Sequence, residues 1–218
     1  MTDADLIARL IREHVEIVAY DPRWPDSFER EKAHLFALLP SDVIRRIEHF
    51  GSTAVPGLAA KPIVDMLVEV SALDDVKARV VPVLEWEGYD YIWRPTSGQD
   101  VPPWYAWFIK RDSAGVRTHH IHMVEAGFPQ WESLAFRDYL RAHPDLSADY
   151  VALKRRLASE FPNDRVAYTE GKSDFVRRVT ERARGPGLQT RPPYRKRNIK
   201  RGNANLPATE SMMFTWQV

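Results

Sequence analysis

The feature that most constrains the fold of this sequence is an apolar run, residues 63–70, with two acidic residues set into it. Its β-branched residues favour a buried strand, and at the two-residue period of a strand Asp65, Leu67 and Glu69 share one face. An ionised carboxylate in such a strand is costly to bury unless it is paired, hydrogen-bonded or metal-bound. The run therefore predicts a strand that carries a functional site at Asp65, with simple neutralisation by Lys61 as the structural alternative.

A glycine–serine turn precedes this strand. Residues 44–50 form a short alternating run that predicts another strand, which leads directly into Gly51 and Ser52. Such a turn exposes backbone N–H groups and a hydroxyl, which hold phosphate oxygens. A carboxylate on the following strand, Asp65, holds Mg²⁺ against the same phosphates, because this cation prefers oxygen ligands. The combination predicts a phosphate site, although a plain turn followed by a buried aspartate would give the same pattern.

Three histidines lie close together in a further predicted strand, residues 118–124. On a strand, His120 and His122 project to one face and His119 to the other. Two histidines at this spacing bind one metal ion, with Zn²⁺, Mn²⁺ or Fe²⁺ preferred over Mg²⁺, or else bind phosphate or transfer a proton. The structural alternative is a pair of half-exposed histidines that hydrogen-bond to neighbouring groups. We expect them to share a site with Asp65 if the two strands are adjacent.

The hydrophobic period divides the sequence into two parts. Up to about Gly127 predicted strands and helices are interspersed, with further strands at 89–93 and 104–110. A helix is predicted over 71–86, although Pro82 is expected to kink or divide it. After Gly127 the apolar residues recur at helical spacing, so the C-terminal part is predicted to be helical. The expected fold class is therefore α+β or α/β, with a mixed sheet and flanking helices.

Composition narrows the class of protein. The 218 residues are 44% hydrophobic and 28% charged, which is the balance of a soluble globular protein that can bury a sizeable core. The absence of cysteine excludes disulfides, thiolate metal sites and a cysteine nucleophile, and it fits a reducing compartment. The sequence shows neither a signal peptide nor a run of about 20 apolar residues. We therefore expect a cytoplasmic protein with no membrane partner.

The segment 185–218 differs from the rest of the chain. From Arg182 to Arg201 there are eight basic residues and no acidic one, so the preceding part is net acidic although the whole chain carries a net charge of +1. Prolines and glycines interrupt this segment and no hydrophobic period is sustained, so we expect disorder there and one domain over residues 1–184. Tyr194 within the basic run also permits nucleic-acid or membrane-surface binding, but a solvated tail is the expectation, and the acidic domain carries no nucleic-acid footprint.

Beyond these patterns, the sequence resembles the GrpB family over about residues 15–183. The resemblance rests mainly on the long and specific block from Arg46 to Asp65, which reads RIEHFGSTAVPGLAAKPIVD. It implies a polymerase-β-like nucleotidyltransferase fold, whose pattern is a Gly-Ser turn followed by two strand carboxylates one residue apart. Members of the family also occur fused to dephospho-coenzyme A kinase, a domain not seen in this sequence. Shorter matches are Tyr20–Pro25, His119–Glu125, Phe136–Arg141 and Tyr168–Lys172.

The resemblance carries Gly51, Ser52 and Asp65 onto the superfamily pattern, but Leu67 stands where the second carboxylate is expected. Glu69 lies one step further along the same face, roughly 6.6 Å from Leu67 at the rise of a strand. This departure puts catalysis by two metal ions in doubt. With the histidines as substitutes, the candidate metal ligands are Asp65, Glu69, His120 and His122.

Two functions follow from these residues. The first is an enzyme that transfers a nucleotidyl or phosphoryl group from a nucleoside triphosphate to an unknown small acceptor, with a divalent cation as cofactor (Mg²⁺ or Mn²⁺, alternatively Zn²⁺). The second is a non-catalytic protein that binds a nucleotide or another phosphate-containing small molecule and has a degenerate metal site, which Leu67 favours. For the enzyme, the expected catalytic residues are Asp65, His120 and His122, and the expected phosphate-binding residues are Gly51, Ser52, Lys61, Arg111 and Lys172.

Overall fold

Five strands form one sheet in the computed structural model of this protein, which describes residues 3–95 and 103–185. The strands are β1 (Ile44–Phe50), β2 (Val64–Val70), β3 (Asp90–Pro95), β4 (Trp104–Arg111) and β5 (Arg117–Val124). Their order across the sheet is β1-β2-β5-β4-β3. β2 and β5 pair in parallel, whereas the other neighbours pair antiparallel. The predicted α+β fold with a mixed sheet is therefore confirmed.

The two central strands, β2 and β5, are buried on both faces. Met66, Leu67 and Val68 in β2 are fully buried, as are Ile121 and Met123 in β5. Burial on both sides explains why β2 is apolar at five of its seven positions instead of alternating. Polar side chains inside the two strands therefore need a partner or a function.

Helices cover both sides of the sheet. The helix predicted over 71–86 is divided, because a π-helical turn (Val76–Val80) separates two short α-helices. Pro82 lies in the first turn of the second of these, where a missing N–H leaves no hydrogen bond unmade. The helices are α1 (Asp3–Arg12), α2 (Trp24–Leu38), α3 (Leu73–Asp75), α4 (Val81–Trp86), α5 (Ser133–Ala142), α6 (Pro144–Glu160) and α7 (Arg165–Arg184).

α2 and the C-terminal helices lie on opposite sides of β2. Phe28 of α2 stacks on His49 of β1 with 4.8 Å between ring centroids, and His49 lies opposite Met66 in the β1–β2 ladder. α2 therefore covers the face of β2 that carries Met66. Because side chains alternate along a strand, Asp65 points to the other side, where side chains from α6 and α7 approach it.

The loop between β1 and β2 is fixed by the C-terminal helices. Val55 and Leu58 of this loop are buried in the same apolar cluster as Phe136 of α5. Arg141 of α5 donates two hydrogen bonds to the carbonyl oxygen of Ala54, from Nε at 3.0 Å and from Nη2 at 2.6 Å. The Gly-Ser turn at the start of this loop is thus held by residues far away in the sequence.

No helix in the two described ranges is long and apolar enough to cross a lipid bilayer. Residues 186–218, for which the sequence predicts disorder, lie outside those ranges, so disorder there stays a prediction.

α7 begins at a well-formed cap that offers a test of its contribution to stability. Asp164 Oδ1 accepts hydrogen bonds from the backbone N–H groups of Val166 and Ala167, at 3.1 and 3.0 Å. We expect Asp164→Ala to lower the free energy of unfolding in urea by about 1 kcal/mol, because both donors lose their partner. Asp164→Asn keeps the acceptor oxygen and should change stability little. Equal losses in the two variants would contradict this account and assign the effect to charge.

Candidate functional site

The Gly-Ser turn brings the backbone directly against the carboxylate of Asp65. Gly51 follows β1 with φ 72° and ψ −171°, a conformation essentially restricted to glycine. A Cβ atom at this position would lie 2.5 Å from Asp65 Oδ2, closer than two such atoms can approach. Ser52 then starts a 3₁₀ turn that runs to Ala54. Two independent features therefore require glycine at this position: the backbone conformation and the carboxylate that packs against it.

A pocket opens beside this turn, between the sheet and the C-terminal helices. Its lining combines the turn, the loop before β2, the central strands and the facing sides of α6 and α7. Five of the predicted site residues meet here, and three polar residues that the sequence did not predict, Thr53, Lys154 and Tyr168, join them. The lining residues are Ser52, Thr53, Ala60, Lys61, Ile63, Asp65, His120, Lys154, Tyr168 and Lys172.

Three lysines give the pocket its charge. Lys154 and Lys172 are almost fully buried, at 2% and 1% exposure, and Lys61 is half-buried. Lys154 Nζ donates hydrogen bonds to Ser52 Oγ at 3.1 Å and to a loop carbonyl. The ring of Tyr168 lies under both other ammonium groups, 5.5 Å from Lys61 Nζ and 4.7 Å from Lys172 Nζ. Three ammonium groups thus converge on a pocket whose lining contains one carboxylate, Asp65.

Lys154 could have been found in the sequence from its position on α6. It lies four residues after Tyr150 and three before Leu157, so it stands on the apolar, core-facing side of that helix. A lysine on such a face is either paired inside the protein or part of a site. The apolar residues of this stripe predict the helix, and the lysine among them is the signal of a buried charge.

Burial shifts the pKa values of these groups. It lowers the pKa of Lys61 and Lys154 well below the usual range for lysine, and their positive neighbours lower both further. Burial also lowers the pKa of Lys172 to about 8, although Asp65 opposes the shift. For Asp65 itself, burial raises the pKa to about 6 against the opposing effect of Lys61 and Lys172. A bound anion would raise the pKa values of the three lysines and so stabilise their charged forms.

The parallel pairing of β2 with β5 places the histidines next to Asp65. Asp65 lies opposite His120 and Leu67 lies opposite His122, so the three polar side chains share one face. His120 Nδ1 is 3.2 Å from Asp65 Oδ1, and one ligand atom from each of Asp65, His120 and His122 lies within 4.8 Å of the others. His122 Nδ1 is 3.3 Å from the hydroxyl of Tyr105. Burial lowers the pKa of His120 well below its usual range and that of His122 to about 3, so both are neutral at pH 7.

Two predicted site residues lie elsewhere, namely Glu69, which was expected to bind a metal, and Arg111, which was expected to bind phosphate. Glu69 is four residues beyond Asp65, roughly 13 Å along the strand, and its carboxylate pairs with Arg46 at 3.3 Å. Arg111 does not line the pocket. Its guanidinium is occupied by two carboxylates, Glu13 at 2.9 Å and Asp90 at 2.8 Å. The sequence alone does not separate these two residues from those that line the pocket, because the positions of ion-pair partners depend on the fold.

The contact between Gly51 and Asp65 yields a test with a matched control. We expect Gly51→Ala to lower the free energy of unfolding by about 3 kcal/mol or more, since backbone strain adds to the clash with the carboxylate. Gly57 has a similar φ of 78° but open space around it, so Gly57→Ala should show only the strain, about 1–2 kcal/mol. Urea denaturation measures both, and equal losses would argue against the close contact.

Comparison with known proteins agrees with the resemblance seen in the sequence. The family model described as GrpB protein matches residues 14–182. The UPF0157 protein YqkA of Bacillus subtilis is 36% identical over 174 residues, which cover 79% of this chain and 48% of YqkA. Glutamate-rich protein GrpB of Alkalihalophilus pseudofirmus is 37% identical over 164 residues, which cover 74% of this chain and 91% of that protein. This chain therefore spans about half the length of YqkA and nearly all of the second relative.

A solved structure shares the architecture as well. The crystal structure of the conserved protein GrpB from Enterococcus faecalis superposes with a TM-score of 0.66 at 33% sequence identity, covering 77% of this chain and 96% of that one. The family match covers most of the chain, including both strands and both helices that form the pocket. The chain belongs to the GrpB family.

Proposed function

We propose that this protein binds the phosphates of a nucleoside triphosphate in the pocket beside Gly51 and Ser52, and transfers a nucleotidyl or phosphoryl group to a small acceptor. The observation that carries the proposal is the convergence of Lys61, Lys154 and Lys172 on a pocket with one carboxylate. A polyphosphate supplies several negative charges at once, and its oxygens form charge-assisted hydrogen bonds with ammonium groups.

The residues of the pocket have distinct roles in this proposal. The Ser52 turn offers its hydroxyl and backbone N–H groups to phosphate oxygens, and the ammonium group of Lys154 fixes that hydroxyl from behind. Lys61 and Lys172 face the pocket from opposite parts of the chain and balance the charge that develops on the phosphoryl oxygens during transfer. Positioning and electrostatic stabilisation are the main requirements of this chemistry, and the cluster supplies both.

Asp65 is the residue suited to accept a proton from the acceptor. Its pKa of about 6 keeps it ionised at pH 7 but close enough to that pH to act as a general base. The strongly lowered pKa values of His120 and His122 make these imidazoles poor bases. His120 instead orients the carboxylate through its contact with Oδ1. This division departs from the expected acid–base role of the two histidines.

The magnesium pair that the superfamily pattern implies does not fit the residues present. That pattern needs two strand carboxylates, whereas Leu67 is fully buried at the second position and Glu69 pairs with Arg46. Asp65 is left with two imidazoles, a donor set that Mg²⁺ does not favour. The roles given above therefore rest on the protein's own side chains.

The proposal predicts opposite effects of Asp65→Asn on binding and on turnover. Removing the charge should leave binding of ATP, GTP or CTP in metal-free buffer intact or stronger, because the phosphates lose a repulsive neighbour. Release of pyrophosphate, or of nucleoside diphosphate if a phosphoryl group is transferred, over a panel of hydroxyl acceptors should fall about 100-fold or more without the base. Calorimetric titration and product assays measure the two, with Asp174→Asn on exposed α7 surface as the control. Normal turnover by Asp65→Asn, or no nucleotide binding by the unmodified protein, would overturn the proposal.

Lys172 predicts the pH dependence of nucleotide binding. In the free protein burial lowers the pKa of Lys172 to about 8, and a bound phosphate raises that pKa by pairing with the ammonium. The complex then binds more protons than the free protein, so affinity should weaken as pH rises above 8, approaching about tenfold per unit. Lys172→Met should weaken binding at pH 7 and flatten this dependence. Lys32→Met, on α2 outside the pocket lining, is the control, and an unchanged slope in Lys172→Met would contradict the assignment.

A second function is favoured by one observation, the loss of the second carboxylate. With Leu67 buried in the core, the pocket can bind a phosphate compound as a sensor or carrier without transferring a group. Nucleotide binding with unchanged nucleotide recovered after incubation with every acceptor and divalent cation would favour this function over transfer.

A further inference from the structure

Three metal-binding side chains share one face of the two central strands. Asp65 of β2 and His120 of β5 lie opposite each other, and His122 is two residues further along β5 on the same face. One ligand atom from each residue lies within 4.8 Å of the other two. Both strands are buried and hydrogen-bonded on both sides, so the three side chains project from a rigid base.

His122 contains a buried polar atom that the fold leaves unsatisfied. The side chain is 3% exposed, and its Nε2 has no hydrogen-bond partner among the described residues. Its other ring nitrogen, Nδ1, lies 3.3 Å from the hydroxyl of Tyr105. If Nδ1–H donates to that oxygen, Nε2 presents a lone pair. Metal-binding histidines usually have this arrangement, with the second nitrogen held by a neighbouring oxygen.

We propose that Asp65, His120 and His122 bind one first-row transition-metal dication, of the Zn²⁺, Mn²⁺, Co²⁺ or Fe²⁺ type, in preference to Mg²⁺. Two imidazoles and one carboxylate on one side of an ion leave its other coordination positions open. A donor set with two imidazoles favours transition-metal dications over harder cations such as Mg²⁺. The inference concerns the same pocket as the proposed function, but it does not depend on nucleotide transfer. The general-base role of Asp65 belongs to the metal-free protein, because a carboxylate that binds a metal is not free to accept a proton.

Metal binding would require only a small movement of the three ligand atoms. An ion with bonds of about 2.0–2.1 Å sets its tetrahedral ligand atoms roughly 3.4 Å apart, so pairs now within 4.8 Å must approach by little more than about 1 Å. Asp65 and His120 are already 3.2 Å apart. His120 would give up the hydrogen bond to Asp65, and its Nε2 would take the proton. The contact of that atom with Arg117 Nη1, 3.5 Å long, would be lost.

The lysines of the pocket lie beside the proposed metal site. Lys61 and Lys172 line the pocket with Asp65 and His120, whereas His122 lies beside Tyr105 and is not part of that lining. The ammonium charges weaken the site for a cation alone and lose this effect once an anion neutralises them. Metal and phosphate would therefore bind with positive coupling, each raising the affinity for the other.

Cobalt binding to the full chain tests the proposal directly. Chelator-treated protein is titrated with Co²⁺, and its visible absorption reports nitrogen ligation; Zn²⁺ and Mg²⁺ then compete. We expect one equivalent of Co²⁺, displaced by stoichiometric Zn²⁺ and not by a large excess of Mg²⁺. His122→Ala should weaken Co²⁺ binding by more than about tenfold, because even outer-shell partners contribute 10–100-fold. His119→Ala, on the opposite face of β5, is the matched control and should bind Co²⁺ normally.

Tyr105→Phe provides a second variant that keeps all three ligands in place. It removes only the oxygen beside His122 Nδ1 and should weaken Co²⁺ binding about 10–100-fold, so the test survives if His122→Ala fails to fold. No stoichiometric Co²⁺ binding, equal competition by Mg²⁺, or an equal loss in His119→Ala would overturn the proposal. ATP titration of the same metal-free protein separates the two ideas. Nucleotide binding without cobalt binding would contradict only the metal site. Cobalt binding without nucleotide binding would contradict only the proposed function.

Discussion

The parallel pairing of β2 with β5 is the interaction on which the site depends. It sets Asp65 opposite His120 and puts His122 on the same face. A shift of one residue in this register would turn both histidines to the side covered by α2. Such a shift is strongly disfavoured, because Met66, Ile121 and their neighbours would exchange a fully buried position for the pocket face. The packing of the core therefore fixes the geometry of the polar residues as well.

The C-terminal helices complete what the sheet begins. The sheet supplies the carboxylate and the imidazoles, whereas Lys154 comes from α6 and Tyr168 and Lys172 come from α7. The same helices bury Val55 and Leu58 and so hold the Gly-Ser turn in place. The contacts that hold the Gly-Ser turn and the side chains that line the pocket thus come from the same layer of helices. The unfavourable burial of Lys154 and Lys172 is therefore accommodated in a layer that also contains an apolar cluster.

Much of this organisation could be read from the sequence, because it depends on local patterns. The two-residue period of a strand correctly places Asp65 on the same face as Leu67, and His120 on the same face as His122. The bounds of β1 also match the prediction of 44–50. The pairing of distant strands was not accessible in the same way, since a parallel pair is separated by a long connection. The predicted roles of Glu69 and Arg111 in the site were wrong, because each side chain has an ion-pair partner that only the fold brings near. Lys154 is not predicted by the apolar period of α6, because that period places the helix and does not give a role to a charged residue on its buried face.

The position of the pocket in the chain has a consequence for synthesis. Its lining begins at Ser52 and ends at Lys172, with the central strand β5 between them. A nascent chain that has left the ribosome only as far as β5 holds Asp65 and the histidines without the helices that cover them. α7, the most C-terminal helix of the described residues, supplies Tyr168 and Lys172 to the lining. The lining of the pocket is therefore complete only after this helix has been translated and has packed against the sheet.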